Sequence, residues 1–234
     1  MNKVPNRKGK FIVIEGGDGS GKATQLALLK DYLEKAKIPV QTIDFPRYYD
    51  SFYGKVVARF LKGEFGSIKE VNPYLVSIVY ALDRADAKAD MNKWLEDGNI
   101  ILANRYVPSN LAHQSSKLPP KERDRFLQCD MELEYEVNKL PKEDIVIYLH
   151  VPHEISSKLV KNANRKGRQY LGSKGKDIHE KDKDHLKKTE KIYQYLSKKF
   201  PHWVVVGCVK NGLLRSREDI HKNILNMLKS KKIL

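Results

Sequence analysis

The chain alternates short, unbroken apolar runs with longer stretches in which apolar residues recur every three or four positions. Phe11-Ile12-Val13-Ile14, Asn99 to Ala103 (NIILA) and Ile145 to Val151 (IVIYLHV) carry no polar alternation, as expected of parallel strands covered on both faces. Val40 to Phe45 and Val204 to Val209 add two shorter strands. Leu26, Leu28, Leu29, Tyr32 and Leu33 keep the helical period as far as Lys37, where Pro39 ends it. A short helix is predicted over Val56 to Leu61. The longest periodic segment runs from Pro73 to Trp94, with Leu75, Val79, Leu82 and Trp94 on its apolar side. Further helices are predicted around Leu111 to Lys117, over Pro120 to Leu140, from Pro152, up to Phe200, and over Ser216 to Lys229 with Ser216 as N-cap. In the second of these, Phe126, Met131, Leu133 and Val137 read as packing positions. Strands and helices in this alternation specify an α/β domain with a parallel sheet and right-handed crossovers. The 234 residues supply one such domain, 1–234, with a core large enough to need no disulfide or structural metal.

Charge changes the picture in one place. Lys and Arg number 44 against 29 Asp and Glu, a net charge of +15, which implies contact with something anionic. From Lys158 to Lys176 there are seven basic residues, no acid and three glycines. Such a stretch is either a solvated charge run or a lid, placed at about 162–181, that folds over phosphates. Cys129 and Cys208 are isolated, so no redox pair or zinc cluster can be drawn from them. The basic N-terminus lacks the apolar segment of a signal peptide and no run could span a bilayer, so a soluble, cytoplasmic protein is expected.

The chemistry concentrates where the first strand ends. Gly16-Gly17-Asp18-Gly19-Ser20-Gly21-Lys22-Ala23-Thr24 follows it directly and opens a helix. Glycines let backbone N–H groups converge on a phosphate, the lysine neutralises it, and the helix N-terminus adds its positive dipole. The pattern departs from the usual one at Ala23, where a metal-binding hydroxyl would stand. Arg47, in Phe45-Pro46-Arg47-Tyr48, and Arg105, in Asn104-Arg105-Tyr106, each lie just past a strand's carboxyl end, where open α/β sheets bind ligands. Tyr80 and Arg84, four apart on one helix, could stack and read a base; taken by themselves they also fit a surface cation over a tyrosine ring.

These motifs, in this order over nearly the whole chain, resemble the thymidylate kinase family: the EGGDGSGKATQ loop, Phe45-Pro46-Arg47-Tyr48, Ala81-Leu82-Asp83-Arg84, Arg105-Tyr106 with Ser109-Asn110, and the basic stretch ending in Asp177 to Asp182. The resemblance implies a P-loop NTPase fold with strand order 2-3-1-4-5, transfer of the γ-phosphoryl of ATP to dTMP with Mg²⁺, and a homodimer formed through helices that include the one around Tyr80. It implies that Lys22, Arg105, Arg165 and Arg168 act catalytically, the last two from the lid because Gly19 and Ser20 leave the loop without an arginine. It places Gly16 to Thr24 at ATP, and Asp18, Phe45, Pro46, Arg47, Tyr80, Arg84, Arg105, Asn110, His113 and His179 around the acceptor nucleotide. Tyr80 would stack on the base, with Arg84 and Asn110 reading its O4 and N3 edge. Asp18 and Glu180 are the candidate metal ligands. Asn104 stands where the family usually has aspartate.

Two other readings compete. A deoxynucleoside kinase would share loop and sheet, but its hydroxyl acceptor needs a carboxylate base rather than two arginines. A P-loop ATPase that binds nucleic acid would explain +15, yet the aromatics do not interleave with the basic run as stacking platforms would. Neither a nucleic acid nor a membrane is expected as partner.

Overall fold

A computed structural model describes residues 8–162, 178 and 182–234 of the chain. Arg165, Arg168, His179 and Glu180 lie outside the described residues. Five parallel strands form one sheet in the order β2-β3-β1-β4-β5. They are β1 (Lys10–Glu15), β2 (Val40–Asp44), β3 (Ile100–Asn104), β4 (Ile145–His150) and β5 (Trp203–Gly207). The central strand explains the unbroken apolar runs. Phe11 and Val13 point into a core shared with Met91, Tyr106, Leu127 and Tyr193, whereas Ile12 and Ile14 point into the opposite layer with Leu29, Leu33, Ile224 and Leu228. Alternate residues of one strand thus need apolar cover on both sides.

Helices α1 (Lys22–Lys35) and α9 (Arg217–Ser230) cover one face. The other is covered by α4 (Lys88–Glu96), α5 (Val107–Ser115), α6 (Pro120–Met131) and α8 (Lys183–Lys199). Ser216 caps α9 as expected, its Oγ accepting from Asp219 N at 3.0 Å. A two-stranded ribbon, β6 (Val209–Lys210) with β7 (Leu213–Leu214), follows the sheet where the sequence pattern implied a continuation of the last strand. No helix among the described residues is long and apolar enough to cross a membrane.

The expected helices differ from the structure at three places. The helix predicted over Pro73 to Trp94 is two, α3 (Pro73–Asp86) and α4, broken at the buried Ala87, which turns Met91 into the sheet core. Its inward side is also not the apolar one: Leu75 is 65% exposed and Ile78 41%, while Val76, Ser77, Ala81, Asp83 and Arg84 face inward. Finally, the helix predicted to Leu140 ends as α6 at Met131 and continues as a π-helix over Glu132–Val137, which turns Glu134 into the interior and leaves Val137 exposed. An α2 helix (Phe52–Leu61) packs on α3 through Val57, Phe60, Leu61 and Val76, with Tyr80 against the same cluster.

Candidate active site

The loop after β1 is built as the glycines imply. Gly16 has φ +149°, and a Cβ there would stand 2.6 Å from Ser20 Oγ and 2.7 Å from the Leu149 carbonyl, so no side chain fits. Gly21 carries φ +90° and leads into α1. Lys22 Nζ donates to the carbonyls of Gly16 and Gly17 at 2.9 Å each and lies 3.9 Å from Asp18. The ammonium is therefore held over the loop rather than trailing into solvent.

Asp18 also accepts from Arg105 Nη2, which joins the loop to the end of β3. Arg105 itself has φ +67°, a conformation costly for a side chain with a Cβ, and is fixed by its N–H donating to Ile14 O at 3.0 Å. Burial opposes its charge, and Asp18 together with Tyr193, Glu15 and Tyr48 more than offsets that, so Arg105 remains a cation at any accessible pH. Its Nη1 donates to Ser109 Oγ at 3.2 Å and meets His113 Nε2 at 3.4 Å.

Because a guanidinium can only donate, His113 must accept at Nε2 and carry its proton on Nδ1. That proton points to His185 Nε2 at 3.4 Å, and His185 Nδ1 in turn meets Ser116 Oγ at 3.2 Å. Both imidazoles are neutral. Burial, then Arg105 and His185, hold His113 well below the usual histidine range, and burial with Lys117 takes His185 down to about 3.

One carboxylate orders this neighbourhood. Glu15, the last residue of β1, is fully buried and accepts from Tyr106 N at 2.9 Å, Ser109 Oγ at 2.8 Å and Tyr193 OH at 2.8 Å. It thereby ties the start of the phosphate loop to the N-terminus of α5 and to α8. A buried carboxylate with a full set of donors is a fixed point in the fold. The sequence pattern passed over it, although a glutamate ending an otherwise apolar buried strand was a readable signal.

Arg47 sits elsewhere. Its backbone N donates to Asp83 Oδ2 at 2.9 Å, its Nη2 to the Asp83 carbonyl at 3.1 Å, and its guanidinium pairs with Asp86. Arg47 is thus anchored on α3 and does not share a hydrogen bond with the Lys22–Asp18–Arg105 group. Phe45 is buried beside Tyr106, and the Phe45-Pro46 peptide is cis.

Arg84 is not a surface cation. It is 2% exposed, its Nε donates to both oxygens of Glu134 at 3.1 and 3.2 Å, its Nη2 pairs with the same carboxylate, and its Nη1 reaches the Tyr106 carbonyl at 3.4 Å. Asn110, also 2% exposed, donates from Nδ2 to Asp130 Oδ1 at 3.0 Å and to the Ser77 carbonyl at 3.3 Å. Tyr80 packs against the cluster of Val57, Phe60, Leu61 and Val76. Asn104 donates to Asp44 Oδ1 at 2.7 Å. A cavity of about 330 Å³ runs from Gly17 and Asp18 past His113 and Tyr193 to α7 (His153–Asn162) and the start of α8.

A glycine-rich phosphate loop, a lysine over it, an arginine bridged to it and a cavity leading away make a site for a phosphorylated ligand. A family model described as thymidylate kinase matches residues 14–224. The chain belongs to the thymidylate kinase family. It is 29% identical over 199 residues to a thymidylate kinase of Mycobacterium tuberculosis, a match covering 84% of this chain and 91% of that one. A thymidylate kinase of Plasmodium falciparum is 28% identical over 94% of this chain and 89% of its own length. A solved structure of the thymidylate kinase of Candida albicans superposes with a TM-score of 0.71 at 21% identity, covering 96% of this chain and 93% of that one, which agrees in fold. The strand order 2-3-1-4-5 is that of the P-loop NTPase fold implied by this family.

Proposed function

We propose that this chain transfers the γ-phosphoryl group of ATP to dTMP, giving ADP and dTDP, as a step toward dTTP. The observation that carries this reading is the bridge from Lys22 through Asp18 to Arg105, because it sets a donor-phosphate loop and an acceptor-side cation on one carboxylate. Phosphoryl transfer asks the protein for alignment and charge more than for covalent chemistry. In this reading Gly16 to Thr24 cradle ATP, and Lys22 balances the β and γ phosphates. Arg47 and Arg105 hold the acceptor phosphate, and Tyr80, Arg84 and Asn110 surround the base, with Phe45, Pro46, His113 and His179 completing that pocket. Arg165 and Arg168 are proposed to cover the migrating group.

Magnesium fits this set as an ion carried mainly by phosphate oxygens and water. Among the described residues no three His, Cys, Asp or Glu side chains form a cage, Asp18 supplies a carboxylate on the loop, and Ser20 Oγ is a buried hydroxyl with no partner among them. Asp18 and Glu180 are the residues proposed to hold it, and when bound it would neutralise charge on the transferred phosphate. A homodimer and a cytoplasmic location complete the proposal. The exposed Leu75 and Ile78 on α3 support the former, and neither nucleic acid nor membrane is proposed as a partner.

A coupled ADP-release assay across the nucleoside and deoxynucleoside monophosphates, with thymidine beside them, tests the reading. dTMP should be the best acceptor, with dUMP behind by the modest factor that one methyl group is worth in an apolar pocket, about 10- to 200-fold. Turnover of thymidine but not dTMP would establish the deoxynucleoside kinase instead, and ATP hydrolysis stimulated by single-stranded DNA would establish the nucleic-acid ATPase.

A further inference from the structure

Helices α5 and α8 meet along a polar seam inside an otherwise apolar layer. His185, Thr189 and Tyr193 recur every four residues on α8, and Ser109, His113 and Ser116 face them from α5 and its C-cap. His185, Thr189 and Ser116 are buried. Polar groups are costly in such a place unless their hydrogen bonds are complete, so the direction of each bond matters. Both ends of the seam fix that direction. At one end Arg105 can only donate, and its Nη1 meets His113 Nε2. At the other the His113 carbonyl can only accept, and Ser116 Oγ donates to it at 2.9 Å while accepting from Thr189 Oγ1 at 3.1 Å. With its own hydrogen spent, Ser116 Oγ meets His185 Nδ1 at 3.2 Å as an acceptor. His185 Nε2 is then a lone pair and takes the hydrogen on His113 Nδ1, 3.4 Å away. The two neutral imidazoles thus carry one hydrogen-bond direction from Arg105 to the His113 carbonyl.

This direction bears on Arg105. Its Nη1 has two hydrogens, met by Ser109 Oγ and His113 Nε2, and its Nη2 gives one to Asp18. Among the described residues, the Nε hydrogen and the second Nη2 hydrogen are what the guanidinium has left for a ligand, two donors suited to two phosphate oxygens. We propose that His185 is a positioning residue for acceptor binding: by accepting from His113 Nδ1 it holds that ring with Nε2 toward Arg105, and so aims the remaining guanidinium hydrogens at the acceptor phosphate. The inference rests on the dTMP kinase reading and adds to it a residue of α8 that acts only through His113. Without the His185 lone pair, the His113 N–H is buried with no acceptor, and the ring is released to turn away from Arg105 in search of one.

The experiment has two parts. In the wild type at neutral pH, with nitrogen-15 in its histidines, long-range proton–nitrogen correlation spectra report which ring nitrogen holds the hydrogen. His113 and His185, assigned from the signals missing in His113→Asn and His185→Gln, should both carry it on Nδ1. An Nε2–H on either ring overturns the proposal. Steady-state kinetics then compare the wild type with His185→Leu, which removes the acceptor, and His185→Gln, whose Oε1 can accept where the ring's Nε2 stood. The KM for dTMP should rise at least about tenfold in His185→Leu while that for ATP stays within about twofold, and should return to within about threefold of wild type in His185→Gln. Should leucine prevent folding, His185→Asn takes its place, since its amide is too short to reach His113. An unchanged dTMP constant in the non-accepting variant, equal effects of that variant and His185→Gln, or dTMP and ATP constants rising together would each show a packing role alone and overturn the proposal. A wild type that does not phosphorylate dTMP refutes the kinase reading instead, whereas the spectrum tests the hydrogen-bond chain with no substrate present, which separates the two failures.

Discussion

At the scale of single residues, the site is governed by carboxylates that sit where apolar side chains would be expected. Asp130 is the clearest case. Burial, and then the neighbouring Glu134, push its carboxyl up to about 8, far from the value of about 4 that it has in an unfolded chain. Between those two values the folded state holds a proton that the unfolded state has released, so stability must fall as pH rises through this window. The contribution is fully present below about pH 4 and is gone above about pH 8. Lys117 works in the opposite sense, its ammonium lowered to about 7 by burial, so that stability recovers as pH rises from there toward the ordinary lysine value. Comparing thermal midpoints of the wild type with Asp130→Asn from pH 5 to pH 9 cancels the lysine and isolates the aspartate. The wild type should lose stability relative to the variant as pH rises, and parallel curves would show that Asp130 is ionised throughout.

At the scale of elements, what was legible followed from polarity period, and what was not legible followed from polar residues on buried stripes. The sheet, its order and the phosphate loop were readable because a strand covered on both faces must be continuously apolar and a phosphate cradle must be glycine-rich. Arg47 and Arg105 were readable as residues past strand ends. The inward faces of α3 and α6 were not, since Phe126, Asp130 and Glu134 keep a spacing of four while changing from apolar to acidic. A carboxylate on a buried stripe looks, in sequence, like one on a solvated face. The break at Ala87 had no glycine or proline to announce it.

One glycine whose purpose sequence could not show is Gly54 in α2. A Cβ there would stand 2.1 Å from the Arg47 carbonyl, so the helix can approach Arg47 only without a side chain. Gly54→Ala, ordinarily favourable in a helix by about 1 kcal/mol, should here push Arg47 off Asp83. The KM for dTMP should rise about tenfold or more while the KM for ATP stays within twofold; an unchanged dTMP constant would mean that Arg47 does not hold the acceptor.

At the scale of the whole molecule, α3 faces two ways, and the direction of its apolar stripe decides what it does. Leu75, Ile78 and the half-buried Leu82 recur at helical spacing on the outer side, whereas on the inner side Asp83 holds Arg47 and Arg84 holds Glu134. Water is a poor neighbour for such a stripe, and in the proposed homodimer a second copy of the same helix would cover it by two-fold symmetry, since one self-complementary patch would serve both chains. A stable dimer buries about 800 Å² per partner, which two or three leucine-sized side chains and their surroundings can begin to supply. Pairing through α3 would also stiffen the helix that carries Arg84 and anchors Arg47, both proposed to hold the acceptor, so assembly and acceptor binding should fail together. Leu75→Glu with Ile78→Glu places charges at the centre of that stripe without touching Asp83, Arg84 or the phosphate loop. Sedimentation velocity should report a dimer for the wild type and a single chain for the double variant, and the variant's KM for dTMP should rise several-fold while that for ATP holds. A wild type that sediments as one chain at every concentration would sink the dimer. A variant that is monomeric yet binds dTMP normally would show instead that α3 needs no partner to hold Arg47 and Arg84 in place.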